Sequence, residues 1–113
     1  MSKVKPASLP PDTSLGGYRI LRKVAAGGFG VVYLAVDGAG QQVAIKEYLP
    51  SSLATRAPGE LCPQVQPEKL SLYRLGLTSF FDEGRSLAKI SHPWVMSVTN
   101  FFRATETVYM VMQ

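Results

Sequence analysis

Two charged residues in this chain stand in apolar surroundings, and a glycine-rich stretch lies upstream of both. Lys46 closes the run Val43-Ala44-Ile45. Strand alternation places Ala44 and Lys46 on one face and Val43 and Ile45 on the other. Glu83 follows Phe80 by three residues and precedes Leu87 and Ile90 at the spacing of one helical face. A carboxylate on a packing face is unfavourable unless paired, which makes Lys46 its candidate partner. The plainer alternatives are that Lys46 snorkels to water from a strand end and that Glu83 sits at the rim of its helix.

The upstream stretch is Val24-Ala25-Ala26-Gly27-Gly28-Phe29-Gly30-Val31-Val32-Tyr33. Glycine reaches positive φ and admits close backbone approach, and the flanking apolar runs predict a hairpin with a glycine tip. Such a tip can lie over a phosphate chain and offer it N–H donors. A helix carboxylate would orient a nearby lysine and keep it protonated. The two features together make a site for polyphosphate.

These groups need elements to hold them. Residues 1–17 carry Pro6, Pro10 and Pro11 among Ser, Thr and Gly and read as an extended or poorly ordered lead-in. The domain is expected over 18–113. Residues 18–24 predict a strand entering the glycine tip, and 31–36 a nearly all-apolar strand leaving it. The turn Asp37-Gly38-Ala39-Gly40 makes 42–47 a third strand, antiparallel to the second. The stretch 48–79 reads as a loop-rich insertion with Pro50, Pro58, Gly59 and Pro63, and Pro67 is a helix-start signal within it. The helical pattern is clear from about Thr78 to Ile90, and Pro93 ends it. Residues 98–103 and 107–113 predict two more strands joined by Ala104-Thr105-Glu106. The class is α+β, a five-stranded antiparallel sheet with one principal helix.

Composition narrows the partners. With 46% hydrophobic and 18% charged residues the chain is globular rather than disordered. The formal charge of +4 is scattered along the chain, which argues against nucleic acid as a partner. Cys62 is the sole cysteine, so no intrachain disulfide forms, which suits a reducing, cytoplasmic compartment. No signal peptide pattern is present, and the apolar runs 31–36 and 108–112 are too short to cross a bilayer. His92 reads as a turn histidine and Trp94 as a packing residue.

The combined motifs resemble the N-terminal lobe of the protein kinase family, in the eukaryotic-like Ser/Thr form found in bacteria. The family's G-x-G-x-x-G-x-V loop matches Ala25 to Val32, with Ala25 in place of the first glycine and Gly27 and Gly30 as the second and third. Val43-Ala44-Ile45-Lys46 matches V-A-I-K, Phe81-Asp82-Glu83 resembles helix C, and Tyr109 to Gln113 resembles the fifth strand running into the hinge. The separation of Lys46 and Glu83 is long for the family, and the extra chain resembles an insertion seen in some bacterial kinases.

The resemblance implies that the backbone of Ala26 to Gly30 covers the ATP phosphates, with Phe29 at the tip. It implies that Val24, Val32 and Ala44 wall the adenine, and that Lys46, held by Glu83, contacts the α- and β-phosphates. Met112 matches the gatekeeper, and the Gln113 carbonyl the first hinge acceptor. Ala25, Gly27 and Gly28 complete the cofactor-binding set. No catalytic-loop or D-F-G motif lies in these residues. Mg²⁺ and the protein substrate are therefore expected to be held by a C-terminal lobe beyond the hinge, and this chain alone to be inactive. An isolated lobe is expected to self-associate through its uncovered apolar face. The alternative is a non-enzymatic, pseudokinase-like regulatory or scaffolding module.

Overall fold

A computed structural model describes residues 6–88 and 97–113, with side chains over 6–85 and 97–113. Ile90, His92, Pro93, Trp94 and the Leu87 side chain lie outside the described residues. The sheet contains β1 (Ser14–Leu15), β2 (Tyr18–Ala26), β3 (Gly30–Val36) and β4 (Gln42–Tyr48). After β4 a small hairpin forms from β5 (Ala54–Thr55) and β6 (Gln64–Val65), and a 3-10 turn over Pro67–Lys69 leads into α1 (Leu70–Ala88). β7 (Val98–Ala104) and β8 (Thr107–Met112) complete the sheet, whose order is β1-β2-β3-β4-β8-β7.

The α+β class and the single principal helix match the expectation, but the main sheet has six strands, not five. The added strand comes from the lead-in. Ser14 and Leu15 pair with Arg19 and Tyr18 across Gly16-Gly17, whose φ values of 54° and 88° are those of a tight hairpin turn. Leu9 and Leu15 of the same segment are buried.

Burial in β3 alternates residue by residue, with Val31, Tyr33 and Ala35 buried and Val32 and Leu34 half-buried. Register carries that alternation across the sheet. Val32 opposes Lys46, Lys46 opposes Met110, Leu34 opposes Ala44, and Ala44 opposes Met112, so these residues share one face. Tyr33, Ile45, Glu47, Tyr109 and Val111 share the other. The two sheet edges approach each other on that second, inner side. Tyr18 of β2 stacks on Phe102 of β7 at 5.9 Å, and its hydroxyl accepts a hydrogen bond from Asn100 at 3.1 Å.

Helix α1 lies on the outer face beside Lys46. It starts at Leu70, well before the clear periodicity at Thr78, with Pro67 in the preceding turn as the start signal. Tyr73, Gly76, Leu77, Phe80 and Gly84 face the sheet, and Glu83 is exposed. The packing face therefore follows Phe80 by four residues to Gly84, rather than by three to Glu83. A Cβ at Gly84 would overlap the Phe101 ring, and one at Gly76 would overlap the Tyr48 hydroxyl. The helix sits this close because those positions carry no side chain.

Candidate functional site

The glycine hairpin closes between β2 and β3, and its underside is a cleft of about 330 Å³. Ala25, Ala26, Gly27, Gly28, Phe29, Gly30, Val32 and Lys46 line it. Ala44 and Met112 continue the same sheet face beyond Val32 and Lys46. Val24, Glu83 and Gln113 do not line the cleft. Val24 falls at a register shift in β2 and is 54% exposed. Gln113 exchanges backbone hydrogen bonds with Ser97, and its carbonyl, the expected hinge acceptor, accepts the Ser97 N–H at 3.2 Å.

Gly27, Gly28 and Gly30 are not among the residues with positive φ, so left-handed backbone is not their reason. Gly30 is required by contact, because a Cβ there would overlap the Glu47 carbonyl on β4. A Cβ at Gly27 or Gly28 would meet nothing within 4 Å, which leaves open space at the tip for a ligand. The Gly27 N–H donates to the Gly30 carbonyl at 2.9 Å and closes the turn. Among the described residues, the N–H groups of Gly28 and Phe29 donate to no protein acceptor. Phe29 projects at the tip, 80% exposed.

Lys46 is the sole charged residue lining the cleft. Its expected ion pair with Glu83 is not formed. Among the described residues the ion pairs are Arg19–Asp12, Arg56–Glu47 and Arg85–Asp82. The Lys46 ammonium instead lies 5.9 Å from the centroid of the Phe80 ring, within cation–π range. The physical reason is the phase of α1, which turns Phe80 and Gly84 to the sheet and leaves Glu83 to water. The cleft therefore offers a cation with no carboxylate on its walls, under a hairpin that carries unused N–H donors, a combination suited to an anion.

The buried carboxylate of this region is Glu47, which the sequence reading left without a role. Its side chain and that of Arg56 are both fully buried. Arg56 donates from Nη2 to Glu47 Oε1 and from Nη1 to Oε2, each at 2.8 Å. The Tyr33 hydroxyl donates to Oε1 at 2.7 Å and the Tyr109 hydroxyl to Oε2 at 2.6 Å. Arg56 also donates to the carbonyls of Ala7 and Leu61, and Leu9 N–H donates to the Tyr33 hydroxyl. Burial, then the Glu47 charge, pushes the pKa of both tyrosines well above the ordinary range. Burial alone would lower that of Arg56, but its bonds to Glu47 win and raise it. One signal was available. Alternation along Val43-Ala44-Ile45-Lys46-Glu47 puts Glu47 on the apolar Val43 and Ile45 face.

Neither a protein-family model nor a curated protein matches the sequence. Among solved structures the chain is similar to the apo form of PpkA-294, with 38% identity over 94% of this chain and a TM-score of 0.86. The fold matches a kinase N-lobe-like fragment. The chain spans 38% of the PpkA-294 chain. No helix among the described residues is long and apolar enough to cross a membrane, and no cluster of metal-ligating residues occurs among them.

Proposed function

We propose that this chain is the ATP-binding N-terminal lobe of a Ser/Thr protein kinase. The observation that carries the reading is the cleft in which the glycine hairpin and Lys46 meet. The likeness to PpkA-294, from a bacterial Ser/Thr kinase, supports it. The residues fit a phosphate chain. The hairpin backbone from Ala26 to Gly30 covers the phosphates, Lys46 neutralises them, and the open space at Gly27 and Gly28 admits them. Val32, Ala44 and Met112, on one sheet face with Lys46, form the apolar wall for adenine. No carboxylate lines the cleft, so Mg²⁺ coordination and phosphoryl transfer need groups outside these residues.

Titrating the chain with ATP while following backbone amides by NMR tests this. The amides of Ala26 to Gly30 should shift, and Lys46→Ala should weaken the effect about tenfold or more, as expected for a lost charge-assisted bond. Unchanged loop amides at about 10 mM ATP, where even a millimolar site would fill, would remove the reading. A non-enzymatic regulatory module remains as a second reading, because Lys46 rests against Phe80 and is not paired with Glu83. Phosphoryl transfer by the full-length protein, lost in Lys46→Ala, decides for the enzyme, and ATP binding without transfer decides for the module.

A further inference from the structure

We propose that the first residues of the insertion, Leu49 to Ser51, are a brace that holds the glycine loop in its phosphate-receiving orientation. The inference rests on the reading that the cleft takes a phosphate chain. The Ser51 N–H donates to the Gly28 carbonyl at 3.0 Å, and the Leu49 N–H donates to the Phe29 carbonyl at 3.0 Å. A trans peptide points its N–H opposite to its C=O. Gly28 C=O shares a peptide with Phe29 N–H, and Phe29 C=O shares one with Gly30 N–H. Fixing both carbonyls on Leu49 and Ser51 therefore aims both N–H groups away from the insertion. Leu49 and Ser51 line a separate cavity of about 350 Å³ with Lys23 and Val31, whereas Val32 and Lys46 line the candidate cleft. Val31 and Val32 belong to opposite faces of β3, so the hairpin separates the two spaces.

The brace is itself anchored. Pro50 accepts the N–H groups of Leu53 and Ala54 at 3.0 and 2.9 Å, closing a turn at the start of the insertion. Shortly after it comes Arg56, locked on the buried Glu47 carboxylate. Glu47 is the neighbour of Lys46, so one rigid unit carries the lysine, the insertion and the loop carbonyls. Leu49 to Ser51 are positioning residues and touch no substrate.

Ser51→Pro removes the N–H donor while suiting the second position of that turn, and Ser51→Ala keeps the N–H and loses only the longer bond, 3.5 Å, from the Ser51 hydroxyl to the same Gly28 carbonyl. In the ligand-free wild-type chain, the Leu49 and Ser51 amides should be protected from hydrogen exchange, although Ser51 is exposed. Ser51→Pro should increase motion at Phe29 and Gly30 by NMR relaxation. It should weaken ATP about three- to tenfold, the range of one net hydrogen bond, and leave adenosine unchanged. Ser51→Ala should match wild type. An unprotected Ser51 amide, or a Ser51→Pro chain whose loop motion and ATP-over-adenosine preference match wild type, would overturn the brace. A wild-type chain that shows the protection but no preference for ATP over adenosine would overturn the nucleotide reading and leave the brace standing.

Discussion

Lys46 and Glu47 are adjacent in β4 and point to opposite faces of the sheet, and their surroundings differ in every respect. Lys46 is half-buried over an aromatic ring, and no carboxylate lines its cleft. Glu47 is fully buried and met by a bidentate arginine and the hydroxyls of Tyr33 and Tyr109. A charge left without a fixed partner at the edge of a cleft is available to a ligand. A charge whose lone pairs are all engaged in the interior is committed to the fold. The outer face thus holds its electrostatics in reserve, while the inner face consumes them in tying the lead-in and the insertion to the sheet through Arg56, Ala7 and Leu9.

The sharpest way to break this contrast is to remove the partner of Glu47. Arg56→Met leaves a buried carboxylate without its counter-charge and should cost about 3–5 kcal/mol. That is a large part of the 5–15 kcal/mol of a typical domain, and urea unfolding measures it. Converting both partners, Glu47→Leu with Arg56→Met, should recover much of the loss, since a well-packed apolar pair avoids the desolvation penalty. Lys46→Ala, one residue away, should change stability by less than about 1 kcal/mol, as for an exposed or half-exposed charge.

Raising the pH loads the same network, and Tyr48 on the opposite face, in a graded way rather than all at once. Burial and the Glu47 charge raise the pKa of Tyr33 and Tyr109, and burial pushes Tyr48 up to about 12. An unfolded tyrosine ionises near pH 10, so above that pH the native state holds protons that the unfolded state has lost. Stability from these hydroxyls is therefore fully present below about pH 10 and falls as pH rises toward the folded pKa, at up to about 1.4 kcal/mol per unit for each group. Urea midpoints should be flat from pH 7 to about pH 9 and decline beyond pH 10. A flat profile through about pH 11.5 would show that these hydroxyls ionise in the fold as freely as in water.

The outer face was more legible in the sequence than the inner one, for a physical reason. The glycine hairpin and Lys46 lie in strands whose alternation and turns are local, so the pattern put Lys46 beside the hairpin, while Ala25 and Val32 were drawn to the same site by the family resemblance. The Glu47–Arg56 pair depends on where an irregular insertion folds back, and no periodicity reports that. Glu83 was misplaced by one helical position. Spacings of three and four both fit a helical face, and only Gly84 against Phe101 fixes which one faces the sheet. The sixth strand was missed because Ser14-Leu15 is a two-residue strand in a proline-rich segment.

Glycines extend the comparison to its smallest effects. At Gly84 an added Cβ must displace Phe101 and the end of Met110, so Gly84→Ala should destabilise by about 1–3 kcal/mol. The better helix propensity of alanine, worth about 1 kcal/mol, offsets part of this. At Gly27 the added Cβ meets no atom within 4 Å and the backbone is not left-handed. Gly27→Ala should therefore leave stability within about 0.5 kcal/mol of wild type, while placing a methyl group at the tip where the phosphate chain would enter. Paired thermal unfolding and ATP titration separate the two positions. Gly84→Ala should lower the melting temperature, and Gly27→Ala should weaken ATP with the melting temperature unchanged. If Gly27→Ala also leaves ATP affinity unchanged, the open space at the hairpin tip is not where the ligand sits, and Gly27 is free of any role beyond closing the turn.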